Sequence, residues 1–239
     1  MRTINYEVKK SIRGAFGEEL AFLGEQNQDI VALDADLSGS TQTSIFAKKF
    51  PERFFDVGIA EQDLMTTALG LSLEGKIPFA ATFAVFATGR AYDQIRNSIC
   101  YQKANVKVIG AHGGITVGED GASHQALEDV SLMRGLPNMT VIMPADYVAA
   151  KKLTRQAAET YGPMYLRFTR DAIPQIYDED AEFVIGKANQ LKEGKDVAIM
   201  ANGDTVRLAL DAAKELEALK EQATEYQKQI VQLETELGK

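Results

Sequence analysis

Residues 76–112 read KIPFAATFAVFATGRAYDQIRNSICYQKANVKVIGAH, and their texture decides the fold. KIPFAATF is an apolar run short enough for a buried strand, and NVKVIGAH is a second one. Between them, FATGRAYDQIRNSICYQ carries the apolar spacing of a helix. Strand, helix and strand in succession make a βαβ unit, which implies parallel strands.

The same alternation extends both ways. Towards the N-terminus, residues 6–24 predict a helix, DIVALDADL a strand, TSIFAKKF a short helix and RFFDVGI a strand. AEQDLMTTALGLSLEG predicts a helix with small residues along one face, so a close neighbour is expected there. Towards the C-terminus, the glycine-rich GGITVGEDGASH leads into a helical HQALEDVSLMRGL. The strand MTVIMPA, the helix DYVAAKKLTRQAAETYG and the strand PMYLRFTR follow. About six strands result, so residues 1–173 are expected to form an α/β domain: a largely parallel six-stranded sheet with helices on both faces. Ligands of such sheets sit at the carboxyl ends of the strands, where Asp34, Asp36, His112 and Arg170 fall.

After Ile173 the texture changes. Residues 174–203 read as a linker with one short strand and the remnant of a further domain, VAIMANG being its buried strand. Residues 204–239 read as one long helix, free of proline and glycine from 205 to 237. Along it Leu216, Leu219, Ala223, Tyr226, Ile230, Leu233 and Leu237 alternate steps of three and four. That is an a/d heptad seam, which predicts a helix–helix contact and self-association.

Composition narrows the function. A net charge of −8 carries no broad footprint for nucleic acid. No apolar run approaches the roughly 20 residues that span a bilayer, and MRTINYEVKK has no apolar signal core. Cys100 is the only cysteine, which excludes an intrachain disulfide and points, with the missing signal, to the cytoplasm. No Walker loop, dinucleotide fingerprint or zinc cluster occurs.

The 2 histidines, His112 and His124, flank one loop with Gly113, Gly114, Gly118 and Gly121. Such a pairing around a pliant loop suits chemistry as well as it suits packing. Glu119 and Asp120, between them, read on spacing alone as a solvated acidic turn. Glu61, in DVGIAEQDL, opens a helix of small and apolar residues. Its spacing suits a carboxylate complementing the helix dipole. It equally suits a carboxyl group in an apolar pocket that shares a proton with a bound ring.

Taken together, DADLSGS, DVGIAEQ, TFAVF, AHGGITVGEDGASHQALEDVSLMRGLPNMTVIMPAD and YLRFTR resemble the C-terminal section of transketolases. The likeness is closest to two-chain transketolases, in which that section is a separate small subunit. It implies dependence on thiamine diphosphate, with Glu61 bonding the pyrimidine nitrogen so that the ring can take the proton from the reacting carbon. Phe83 and Phe86 match aromatic residues packed on the pyrimidine. A third aromatic, usual three residues on, is replaced by Gly89, leaving that place to another side chain. Asp36 and Leu37 match the loop supporting the cofactor, and Asp120 and His124 match substrate-hydroxyl and proton-relay positions. Arg13, Ser40, His112 and Arg170 match the set that holds the sugar phosphate, a task suited to arginine forks. Arg90, Arg96 and Arg167 read as structural or surface residues.

The same resemblance assigns no metal ligand to this chain. Magnesium or calcium and the diphosphate belong to the large subunit, through a G-D-G…N motif this sequence lacks. Deoxyxylulose-phosphate synthase and the beta subunits of 2-oxo-acid dehydrogenases are related alternatives. The synthase usually carries histidine where Asp63 stands and lacks a match to His112. A catalytically silent assembly module of the same fold is a further alternative. The intact set Glu61, Phe83, Phe86, His112, His124 and Arg170 weighs against it.

Overall fold

The computed structural model describes residues 6–236. The chain runs β1 (Lys9–Ser11), α1 (Ile12–Gln26), β2 (Ile30–Asp34), α2 (Ser38–Thr41), α3 (Ser44–Lys49), β3 (Phe54–Asp56) and α4 (Glu61–Leu73). After β4 (Ile77–Phe83) come two π-helical stretches, Phe86–Arg90 and Gln94–Cys100. The chain continues through β5 (Lys107–Ala111), α5 (Asp129–Arg134), β6 (Thr140–Ile142), α6 (Tyr147–Glu159), β7 (Met164–Arg167), β8 (Ala172–Pro174) and α7 (Thr205–Glu236).

Strand side chains alternate between two apolar layers, as the period of two requires. Ile30, Ala32, Phe79, Ala81, Ile109, Met164 and Leu166 face a layer shared with Phe16 and Leu20 of α1, Phe46 of α3 and Ala150 of α6. Val31, Leu33, Ala80, Val108 and Tyr165 face a second, with Leu64 and Met65 of α4, Ile95, Ile99 and Met133. Helices therefore cover both faces of the sheet. Its order is β3-β2-β4-β5-β7-β6, parallel throughout, as the sequence predicts. The chain leaves β2 outwards to β3 and returns to β4 on the other side. The crevice at that reversal is where such sheets bind ligands.

Four local readings need correction. The N-terminal helix begins at Ile12, because residues 9–11 pair antiparallel with β8 and the Ser11 hydroxyl accepts from the Gly14 N–H at 3.1 Å. A strand partner so remote in sequence leaves no local signal. The helix expected after β4 is wound in π turns, the Ala91 N–H bonding the Phe86 carbonyl at 3.3 Å. The helical HQALEDVSLMRGL shrinks to α5, preceded by a 3₁₀ turn at Ala122–His124. VAIMANG forms no strand: Val197 is 70% and Met200 95% exposed. An apolar run becomes a strand only beside another that takes up its backbone hydrogen bonds, and among the described residues no strand follows β8.

The small residues of α4 divide: Ala68 is fully buried in the core, whereas no atom lies within 4 Å of the place a Cβ would take at Gly70. The first turn of α7 is anchored by Val206 against Val148 and Ile176. From residue 214 onwards the described part of the helix is exposed throughout. Leu237, the last residue of the predicted seam, lies outside the described residues. Among the described residues no helix is long and apolar enough to cross a membrane.

Lys107 opens β5, the strand that delivers His112 to the rim. It is fully buried, and its ammonium donates to Asn105 Oδ1, the Thr160 carbonyl and the Gly162 carbonyl at 2.7, 2.7 and 2.8 Å. Burial lowers its pKa to about 7. Lys107→Met is expected to cost about 2–3 kcal/mol in urea unfolding, since three acceptors lose a charged donor.

Candidate active site

Asp34 ends β2 fully buried and acts as a hub. Its carboxylate accepts from the Leu37 N–H at 2.6 Å, the Thr41 hydroxyl at 2.6 Å and the Thr43 hydroxyl at 2.7 Å. Burial raises its pKa against the pull of those donors. Three short bonds from one carboxylate fold the chain after β2 back onto the rim, which positions Leu37 and Ser40. Asp36 occupies the left-handed region at φ 61° and is exposed. Its N–H bonds Asp56 Oδ1 at 3.0 Å. The residue that organises this loop is thus Asp34, which the sequence reading placed at a strand end without giving it a role.

Glu61 is the first residue of α4 and 1% exposed. One carboxylate oxygen, Oε2, accepts from Arg90 Nη1 at 2.8 Å. The Arg90 guanidinium carbon lies 4.5 Å from the centroid of the Phe86 ring. The sequence reads Arg90 as structural or surface; the fold pairs this half-exposed side chain with buried Glu61. The gap at Gly89 was the available signal, because the side chain covering the ring belongs to the next residue.

Phe83 and Phe86 lie nearly parallel, at 7° with centroids 6.0 Å apart. The His112 ring stacks on Phe83 at 4.0 Å, and His124 meets Phe86 edge-on at 5.2 Å. His112 follows β5 in the left-handed region at φ 58°, unusual for a residue with a Cβ. It is buried, its Nδ1 has no hydrogen-bond partner, and the same is true of Arg13 Nε. Unpartnered polar atoms on buried side chains are rare in native folds and call for a function.

Arg13 reaches the same rim from α1, donating to the carbonyls of Ser40 and Arg170, the latter at 3.0 Å. Burial, and then the charge of Arg170, lowers its pKa. Burial first, then Arg13 and Arg170, push the His112 imidazole down to about 4, so it is neutral near pH 7; Asp120 pulls weakly the other way. Arg170 lies across the glycine loop, 3.6 Å from Glu119. A Cβ at Gly118, where φ is 88°, would fall 1.9 Å from Arg170 Nη1, so only glycine lets the guanidinium cross there. The His124 Nδ1 lies 3.0 Å from the Ser123 hydroxyl. Arg167 pairs with buried Asp129 at 2.8 Å.

The rim therefore presents, side by side, a buried carboxylate, a pair of aromatic faces and a cationic cluster whose unpartnered nitrogens suit an anion. Buried carboxylate and aromatic faces fit the pyrimidine end of thiamine diphosphate. This is the architecture of a thiamine-dependent pyrimidine-binding domain. The family model "Transketolase, pyrimidine binding domain" matches residues 8–175, and the chain belongs to that family.

A putative transketolase C-terminal section from Methanocaldococcus jannaschii is 51% identical over 209 residues, covering 87% of this chain and 66% of that protein. The chain thus spans about two thirds of that relative. The solved structure titled "Split gene transketolase, inactive beta4 tetramer" superposes with a TM-score of 0.82 at 54% identity, covering 89% of this chain and 69% of the other. A 1-deoxy-D-xylulose-5-phosphate synthase from Geobacter sulfurreducens is 44% identical over 86% of this chain and 32% of its own length.

Because the folded pKa of His112 lies below its unfolded value, the unfolded chain binds more protons between those two values. Stability should therefore fall as pH drops from about 6.5 towards about 4. His112→Asn should flatten that part of a denaturation-midpoint profile against pH. A profile identical to the parent's would contradict the assignment.

Proposed function

We propose that the chain is the small subunit of a two-chain transketolase. It would move a two-carbon ketol unit from a ketose phosphate to an aldose phosphate, with thiamine diphosphate bound between it and a larger chain. The carrying observation is Glu61, buried at the head of α4 and joined through Arg90 to the ring of Phe86, which stacks with Phe83. When bound, thiamine diphosphate supplies the electron sink for the two-carbon fragment.

In this reading Glu61 shares a proton with the pyrimidine nitrogen, and Phe83 and Phe86 hold the ring. The loop with Asp36 and Leu37, braced by Asp34, supports the cofactor. His124 and Asp120 contact substrate hydroxyls, with His124 relaying a proton. Arg13, Ser40, His112 and Arg170 bind the sugar phosphate, the neutral imidazole contributing a directional bond and the guanidiniums the charge. Magnesium or calcium and the diphosphate fall to the larger chain. A cytoplasmic setting accords with the buried free thiol of Cys100. The synthase reading is favoured by the 44% identical relative, and opposed by His112 and Asp63 as the sequence likeness weighs them.

Mixing the chain with a candidate larger chain, thiamine diphosphate and magnesium tests the reading. Two-carbon transfer should appear only in the mixture, and Glu61→Gln should lower it roughly 10²–10⁴-fold while leaving the fold intact. Transfer by either chain alone, or more than half the rate in Glu61→Gln, would refute it.

The seam on α7 supports self-association, and its residues favour an antiparallel pair of copies. An antiparallel match sets Leu216 against Leu233, Ile230 against Leu219 and small Ala223 against bulky Tyr226 of the second copy. It also directs Lys220 towards Glu234. A parallel match would stack alanine on alanine and tyrosine on tyrosine, which packs poorly. Mixed Leu216→Cys and Leu233→Cys chains should cross-link to each other under mild oxidation, neither linking to itself. Self-linking of Leu216→Cys would mean a parallel pair, and a monomer by light scattering would mean none.

A further inference from the structure

The two features read as the pyrimidine's contacts, the Glu61 carboxylate and the Phe86 ring face, are both taken by one side chain. Arg90 donates to Glu61 Oε2 at 2.8 Å and lies over Phe86 at 4.5 Å. A guanidinium is planar, cationic and rich in N–H donors. An aminopyrimidine protonated on a ring nitrogen is likewise planar, cationic and a donor. We propose that Arg90 is an internal placeholder for the cofactor's pyrimidine, occupying its carboxylate and its stacking surface and turning out to solvent as the ring enters. This inference rests on the transketolase reading above.

Three observations support an exchange over a permanent pair. The partners differ sharply in exposure, the Arg90 side chain being 49% exposed and that of Glu61 1%. The Arg90 head can therefore turn into water once the ring takes over its carboxylate partner, while Glu61 cannot leave at all. Beside Arg90, Gly89 offers no side chain to the ring, and no atom lies within 4 Å of where its Cβ would be. The ring face is thus covered by a long flexible side chain where a fixed aromatic would otherwise stand. Finally, Arg90 closes a π turn, the Ala91 N–H reaching back to the Phe86 carbonyl at 3.3 Å. Turns of this kind interrupt helices chiefly at functional sites.

The placeholder has two consequences of opposite sign. Without cofactor it protects a buried carboxylate that would otherwise be unpaired, so it stabilises the chain. During binding it competes, so apparent affinity is reduced by the fraction of chains in which the site is open.

The test uses the assembled two-chain complex with magnesium, titrated calorimetrically with thiamine diphosphate. Arg90→Ala should tighten binding by roughly 3–10-fold, with Arg90→Lys in between because lysine keeps the charge and loses the planar stack. Thermal melts give a second readout independent of turnover. Arg90→Ala should melt lower than the parent without cofactor, and the gap should close at saturating cofactor. Unchanged or weaker binding in a folded Arg90→Ala complex, or a melting gap that persists with cofactor, would overturn the placeholder alone. Failure of the parent complex to bind thiamine diphosphate would overturn the functional reading, and the placeholder with it.

Discussion

A buried carboxylate must find donors or a cation, since desolvation otherwise outweighs what the fold gains elsewhere. Among the buried carboxylates near the carboxyl rim of the sheet, Asp34 and Glu61 are satisfied differently. Asp34 takes its bonds from one backbone N–H and two hydroxyls that follow it closely in sequence. The result is a rigid loop. Glu61 takes its bond from a half-exposed arginine on another element, which makes the pairing exchangeable. The first arrangement builds the wall of the site, and the second leaves the ligand position open to competition.

The cationic side of the rim follows a related logic. Arg13, His112 and Arg170 come from α1 and from the ends of β5 and β7, and three positive charges so close would repel. The chain avoids part of that repulsion by keeping His112 neutral, through burial and the field of the arginines. A neutral imidazole beside two guanidiniums joins positive charge to one directional contact, a chemistry that suits an anion. The unpartnered Nδ1 of His112 and Nε of Arg13 are what such a site looks like from the protein's side.

Beyond β8 the physics is different. Apolar residues between 197 and 200, and along α7, are exposed, and no layer among the described residues covers them. α7 keeps its helical form through local hydrogen bonds and a single buried anchor at Val206. Beyond that anchor the a/d seam of the described helix lies in solvent.

Apolar runs at strand length, alternating with helical spacing, determined the six-stranded parallel sheet and its two helical layers, because burial on both faces writes itself into every strand. The long α7 was legible from its heptad spacing and its freedom from proline and glycine, and the gathering of His112 and Arg170 at one rim from the fact that strand ends share an edge. Tertiary structure alone decided the pairing of residues 9–11 with β8, the failure of VAIMANG to become a strand, and the position of Arg90. Each of these depends on a partner far away in sequence, or on the absence of one. Arg90 is the clearest case: its neighbours in the chain mark it as surface, and only the fold brings it within 2.8 Å of a carboxylate that has no other cation to meet its charge among the ion pairs of the described residues.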